Sequence, residues 1–238
     1  MRRSGSIPMV MALLLGGLGS SGAQVRSPEP AVPDSIGWCT EFTSTPTVAT
    51  FAIGSVAAAL MAINEDSGPL RKSLDDPFIE RPLKLGNAYG SGWGVGGLGL
   101  VTLAYGHATG DNDAVELGED LATSFVATSA LVAVLKRSIG RTRPNGGKYA
   151  MPSGHTAGAF SSVPVMWYHA GWKTGLAFGS LSVLTGLARI EDNKHYLSDV
   201  VAGATLGLVV GRLTVARRHE SCWRVQASSG GVALVRGF

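Results

Sequence analysis

Six apolar runs of helical length, none of them strictly alternating, constrain this chain more than any other feature. They are Val48–Ile63, Trp93–Tyr105, a run beginning near Ala114 and continuing through Leu121–Leu135, Ala157–Ala170, Thr174–Ala188 and Asp199–Ala216. Apolar residues recurring over 13 to 18 positions without a period of two point to helices, not strands. The 33 glycines, with many Ala and Ser, suit helices that pack closely. The expected fold is therefore all-α, a helical bundle of about six main helices. Residues Asn64–Gly86 are polar and contain Pro69, Pro77 and Pro82, so they read as a loop or a broken helix. Only Trp223–Phe238 alternates, around Ser228-Ser229-Gly230-Gly231, which leaves room for a short C-terminal β-hairpin.

The start of the chain reads as an export signal. Arg2 and Arg3 precede an apolar run from Met9 to Leu18, and Ser21-Gly22-Ala23 supplies the small residues that a signal peptidase needs. The expected organisation is a signal peptide over 1–23, a linker or surface segment over 24–46, a helical domain over 47–218 and a tail over 219–238. Cys39 and Cys222 lie near opposite ends of the exported part. In an oxidising compartment they can form a disulfide, and unpaired they are two thiols. A formal charge of +3, with the basic residues gathered in one loop, excludes a nucleic-acid partner. Gly92-Trp93-Gly94-Val95-Gly96-Gly97 fits the spacing of a dinucleotide-binding turn, but no strand precedes it, so close helix packing explains these glycines better.

Three short segments carry the chemistry. Lys136 is followed after six residues by Arg143-Pro144, Pro152-Ser153-Gly154-His155-Thr156 comes next, and Arg189 precedes His195 and Asp199. Phosphoryl transfer spreads negative charge over three oxygens, and something must hold them. Lys136, Arg143 and Arg189 offer three cations, the arginines as planar forks. Ser153 stands where it can cap a helix whose free N–H groups face an anion, and Gly154 lets the backbone approach without a Cβ. His195 and Asp199 are four apart, so Asp199 can hold Nδ1 and leave Nε2 free to attack. His155 is the candidate general acid for the leaving oxygen. No metal or cofactor is called for. His107 and His219 read as exposed, His169 as a helix end, and Glu191 and Asp192 as loop surface.

Together the three segments resemble the signature of the type 2 phosphatidic acid phosphatase superfamily, which includes bacterial class A acid phosphatases and vanadium haloperoxidases. The resemblance spans roughly Leu121 to Arg212. It implies that Lys136, Arg143, Ser153, Gly154 and Arg189 bind phosphate, with His155 as acid, His195 as nucleophile and Asp199 as its partner. Ala188 departs from the pattern, which usually has Ser before this Arg. The implied activity is hydrolysis of phosphate monoesters, lipid or small and soluble, through a phosphohistidine without metal. The alternatives are a haloperoxidase, whose chains are usually much longer, or a non-catalytic phosphate-binding membrane protein. Runs shorter than the ~20 residues that span a bilayer favour a soluble or peripheral periplasmic domain in a bacterial envelope. An integral inner-membrane protein is the alternative, and membrane association fits either form.

Overall fold

The computed structural model describes residues 43–63 and 65–217, and the backbone of 224–228 and 231–235. Cys39, Cys222 and the expected export signal lie outside the described residues. Seven helices follow in order: α1 Thr45–Ile63, α2 Gly68–Leu74, α3 Pro77–Gly90, α4 Gly92–Thr109, α5 Asn112–Ile139, α6 Gly154–Glu191 and α7 Leu197–Ala216. Strands β1 Arg224–Ser228 and β2 Gly231–Val235 pair antiparallel, with Arg224 opposite Val235 and Ser228 opposite Gly231, as the alternating tail suggested. The all-α expectation holds.

Two helices occupy the segment read as a loop or broken helix. Pro69 and Pro77 stand in the first helical positions of α2 and α3, where a missing N–H costs nothing. Asp76 then caps α3 by accepting from the N–H of Phe78 at 2.8 Å. These prolines start helices instead of breaking them, while Pro82 is tolerated inside α3. At α5 the carboxylate of Asp111 accepts from the N–H groups of Asp113 and Ala114, and Gly140 closes the helix with φ 65°.

Helix α6 is a hairpin. Gly171, at φ 82° and ψ 172°, breaks it at the Ala170-Gly171-Trp172 boundary. The two arms run back along each other: Gly175 lies against Trp167, Gly179 against Val163 and Gly186 against Thr156. The end of α6 therefore returns to its own start.

Helix α7 packs on the first arm through three glycines one turn apart. A Cβ on Gly203, Gly207 or Gly211 would stand 2.5, 2.3 and 2.3 Å from the carbonyl oxygens of Ser153, Ala157 and Ser161. Helix α1 lies on the other side of α7, with Gly54 against Thr205. At the end of the bundle away from the loops discussed below, Asp120 is fully buried. It accepts from Arg217 at 3.2 Å and bonds His169 Nε2 at 2.9 Å, so His169 is a buried tie between helix ends.

Among the described residues three helices, α1, α5 and α7, are long and apolar enough to cross a membrane, at 19, 28 and 20 residues. The apolar runs are shorter than the helices that contain them, so run length understates what can span a bilayer. Capped and small-residue turns extend those runs to spanning length. On α1, Phe51, Ile53, Val56 and Leu60 are exposed, and only Thr47 and Ala58 are buried.

The seam makes a contrast that can be measured. Gly207→Ala forces a methyl into a carbonyl and should destabilise the protein by ~1–3 kcal/mol. Gly97→Ala, where no atom lies within 4 Å, should be neutral or stabilising by about 0.5–1 kcal/mol. Thermal unfolding of both variants in detergent checks the pair.

Candidate active site

The three sequence segments meet at one end of the bundle. Lys136 sits in the last turn of α5. The following loop is pinned by backbone bonds: Arg143 N–H to Gly147 O at 2.7 Å, and Ala150 N–H to Arg141 O at 2.8 Å. Ser153 N–H donates to Asp199 O at 2.9 Å, which ties the start of α6 to the start of α7. After α6 the chain turns at Asn193, whose φ of 54° suits Asn better than most side chains. That turn lets His195 N–H donate to Arg189 O at 3.2 Å. The structure thus brings together all eight candidate residues, Lys136, Arg143, Ser153, Gly154, His155, Arg189, His195 and Asp199.

Several of these groups are buried with hydrogen-bonding capacity to spare. Arg189 is 3 % exposed and His195 4 %, while Ser153 and Asp199 are fully buried. Arg143 Nε, Arg189 Nε and His195 Nδ1 are buried atoms without a hydrogen-bond partner. Buried donors are normally satisfied, so the two orphaned arginine Nε groups mark a place built for an acceptor, while His195 Nδ1 faces Asp199. Ser153 stands at the N-cap of α6 but makes no side-chain cap, and its Oγ accepts from Thr156 Oγ1 at 2.9 Å instead. The first N–H groups of α6 therefore stay open to an anion. A Cβ on Gly154 would reach only ordinary contact with Val132 and Lys136, so packing does not account for this glycine. Lys136 Nζ donates to Tyr149 O at 2.7 Å, beside the same helix end.

The His195–Asp199 pair is close but not closed. Nδ1 of His195 lies 3.6 Å from Oδ2 of Asp199, beyond hydrogen-bond reach. Oδ2 instead accepts from the N–H of Tyr196 at 2.9 Å, and Oδ1 accepts from Arg141 Nη1 at 3.0 Å. Burial pushes the His195 pKa below the ordinary value, and Lys136 and Arg143 add to this, while Asp199 works against it. His155 is pushed down to about 4, first by burial and then by the nearby charges of Arg189, His195, Lys194 and Lys136.

Four residues of the site escaped the sequence reading. Arg189 donates from Nη1 to Asn87 Oδ1 and from Nη2 to Asp192 Oδ2. Asp192 is therefore a clamp on Arg189, not loop surface. Arg141 donates from Nη2 to Glu65 Oε2 at 2.5 Å. Among these, only Arg141 and Asp192 lie close enough to the motifs to be suspected from sequence. Among the described residues, no three His, Cys, Asp or Glu gather into a set that could hold a metal ion.

Buried cations and two histidines thus gather at one end of the helix bundle. Residues 119–222 match the model of the PAP2 superfamily, and the match contains all eight candidate residues. Over 96 residues the chain is 35% identical to a lipid A 1-phosphatase of Porphyromonas gingivalis, covering 39% of this chain and 22% of that protein. It is 28% identical over 119 residues to a lipid A 4'-phosphatase of Helicobacter pylori, covering 45% of this chain and 60% of that protein. The chain thus spans less than two thirds of the length of these curated relatives. Among solved structures, the first transmembrane PAP2-type phosphatidylglycerolphosphate phosphatase from Bacillus subtilis superposes with a TM-score of 0.59 at 20% identity, covering 73% of this chain and 94% of that one. Aquifex aeolicus LpxE gives a TM-score of 0.51 at 20% identity, covering 61% and 90%. At that identity the two structures show a shared fold.

The orphaned donors predict anion binding. Orthovanadate should bind the purified protein, and Arg189→Ala should weaken it by roughly ten- to a hundredfold, the worth of hydrogen bonds to a charged group. Asp192→Asn, which only loosens the clamp, should weaken it less. Calorimetric titration of the three proteins reads both effects.

Proposed function

We propose that this chain is a membrane-embedded phosphatase that hydrolyses a lipid phosphate monoester through a phosphohistidine on His195. The observation that carries this reading is the pair of buried, unpartnered donors on Arg143 and Arg189 beside the buried His195 and the uncapped start of α6. Lys136, Arg143, Arg189 and the N–H groups of α6 hold the three equatorial oxygens, as a preorganised field that needs no rearrangement in the transition state. Nε2 of His195 attacks phosphorus, and the bond from phosphorus to the ester oxygen breaks. His155 gives its proton to the leaving oxygen. A water then attacks phosphorus while His155 takes a proton from it, the P–N bond breaks, and both histidines return to their first state. As His195 becomes cationic on attack, a shift of roughly half an ångström brings Asp199 within hydrogen-bond range of Nδ1–H.

The depressed pKa of His155 fits this cycle. Burial first, and then the nearby cations, hold it neutral in the free protein. A bound phosphate offsets those cations and allows it to carry the proton that the leaving group needs. His155 is then an acid only when substrate is present.

Two lines support a lipid ester and a membrane location. Helices α1, α5 and α7 are of spanning length, and α1 carries an exposed apolar face. The curated relatives named above are lipid A phosphatases.

Phosphate release should be measured from a panel of lipid and soluble monoesters, using the full chain in detergent micelles. Lipid esters should be preferred, and activity should survive EDTA. Quenching with labelled substrate under non-acidic conditions should trap label on His195, and His195→Ala should lose both label and turnover. Label on a Ser or Asp would sink the mechanism, and turnover of soluble esters alone would sink the lipid reading.

The pH profile is a separate test. The nucleophile must be unprotonated, and its pKa lies below the ordinary value for His. Accordingly kcat/KM should hold as pH falls to about 6.5, the ordinary histidine value, and drop only below it. An acid limb centred at neutral pH or above would contradict the depressed His195.

A further inference from the structure

We propose that Glu65 and Arg141 are positioning residues for the nucleophile, acting on His195 through Asp199. This rests on the phosphatase reading above and extends it to two residues outside the motifs. Arg141, in the loop after α5, donates from Nη1 to Asp199 Oδ1 at 3.0 Å and to Ser198 Oγ at 2.6 Å. Its Nη2 donates to Glu65 Oε2 at 2.5 Å, and its guanidinium lies 4.4 Å over the Tyr196 ring. Glu65 comes from the connection between α1 and α2. Its Oε1 accepts from Ser198 N–H at 2.9 Å, and its Oε2 accepts from Ser198 Oγ at 2.6 Å. The Ser198 hydroxyl thus accepts from Arg141 and donates to Glu65, which closes a ring of three residues.

This ring decides what Asp199 can do. A carboxylate shared between a guanidinium and an imidazole is pulled both ways. If Arg141 stood unbalanced, its charge would draw Asp199 away and leave the imidazolium of His195 less stabilised. Glu65 returns a negative charge to the far side of the guanidinium, and it also satisfies an open N–H at the start of α7. Its side chain is 7% exposed, so water screens the pair weakly. Asp199 is held at both oxygens, by Arg141 on one and the Tyr196 N–H on the other, and its position fixes the direction from which His195 Nδ1 is met. The charges bearing on His195 from elsewhere are Lys136 on α5, Arg143 in the same loop as Arg141, and His155 on α6. All are cationic or can become so, which leaves Asp199 as the counter-charge that this ring controls.

The test uses substitutions of opposite charge. Glu65→Gln leaves Arg141 uncompensated. It should lower kcat by roughly tenfold to a hundredfold, the cost of a small misplacement, with little change in KM. It should also move the acid limb of kcat/KM to lower pH. Arg141→Gln frees Asp199 from its competitor, so it should lower kcat while moving the limb to higher pH. Glu65→Asp keeps the charge and should leave the limb where the wild type has it. Each protein is also labelled with ¹⁵N-histidine in micelles and titrated by NMR, with the His195 signal assigned through His195→Gln. The His195 pKa should fall in Glu65→Gln and rise in Arg141→Gln. Loss of kcat and thermal stability with no shift in limb or His195 titration would make the ring a structural tie only, and the proposal would fall. Shifts of the same sign in both charge variants would overturn it as well. If one variant does not fold, the sign in the other decides alone. If the wild type releases no phosphate but the His195 titrations move as stated, the phosphatase reading falls and the ring stands.

Discussion

The close seam between α6 and α7 is the constraint on which the rest of this structure depends. Gly203, Gly207 and Gly211 press against the carbonyls of Ser153, Ala157 and Ser161, so the two backbones approach as nearly as glycine permits. That approach sets the start of α6 beside the start of α7, where Ser153 N–H meets Asp199 O. The hairpin at Gly171 then does the second half of the work. It returns the end of α6 to its own beginning, with Gly186 against Thr156, and so carries Arg189 to the same place. One close-packed seam and one reversal therefore bring an anion-binding helix end, a fixed cation and a histidine with its carboxylate to a single point. Neither contact needs a charged residue. The polar site is held by apolar and backbone packing beneath it.

The electrostatics follow a division of labour among four cations. Uncompensated buried charge is costly, and cations gathered for an anion repel one another before it arrives. Arg189 is clamped through both Nη groups by Asn87 and Asp192, and Arg141 is held by Glu65, Asp199 and Ser198. Lys136 is tied to loop carbonyls at Tyr149 and Ala150. Fixing these groups in place costs free energy during folding, so that little reorganisation would remain for binding of the proposed phosphate. What the clamps leave open is the informative part. The Nε atoms of Arg143 and Arg189 and Nδ1 of His195 have no partner. Each clamped arginine spends its ends on protein, and Arg189 keeps its inner edge for something else.

Much of this was legible in the sequence, and the reasons divide cleanly. The helices were visible because their apolar runs are local, and the eight candidate residues because each motif spans only a few positions. The hairpin within α6 could be read at Ala170-Gly171-Trp172, since glycine is the residue that reverses a chain there. What stayed hidden was long-range or contextual. Asn87 reaches Arg189 across 102 positions, and Glu65 reaches Ser198 across 133, so no spacing links them. Asp192 is three residues from a motif position but has the composition of a surface turn. Its role appears only once Arg189 is known to point inward. The prolines of Asn64–Gly86 misled for a different reason: Pro breaks a helix in its middle and starts one at its first turn, and sequence alone does not say which position it holds. The spanning length of α1, α5 and α7 shows only in the whole helices, because their caps and small-residue turns lie outside the apolar runs.

The helix with the least protein cover leads directly to Glu65, which bonds Arg141 and Ser198. Helix α1 runs antiparallel along α7, as three contacts in register show. Thr47 accepts from Arg212 Nε at 3.0 Å near one end, Gly54 faces Thr205 in the middle, and Glu65, just past the last turn, meets Ser198 at the other end. Between those ties α1 is almost bare, with Phe51, Ile53, Val56 and Leu60 exposed. A helix held mainly along one neighbour gains little from protein burial, and in the membrane-embedded form proposed above a lipid phase would supply the environment that its apolar face requires. Its position along α7 then determines where Glu65 arrives. A slip of one residue would carry the carboxylate ~1.5 Å along the axis, enough to break its bonds to Ser198 and Arg141. The seating of α1 in its surroundings and the geometry of Asp199 are thereby parts of the same mechanical arrangement, joined through a single carboxylate.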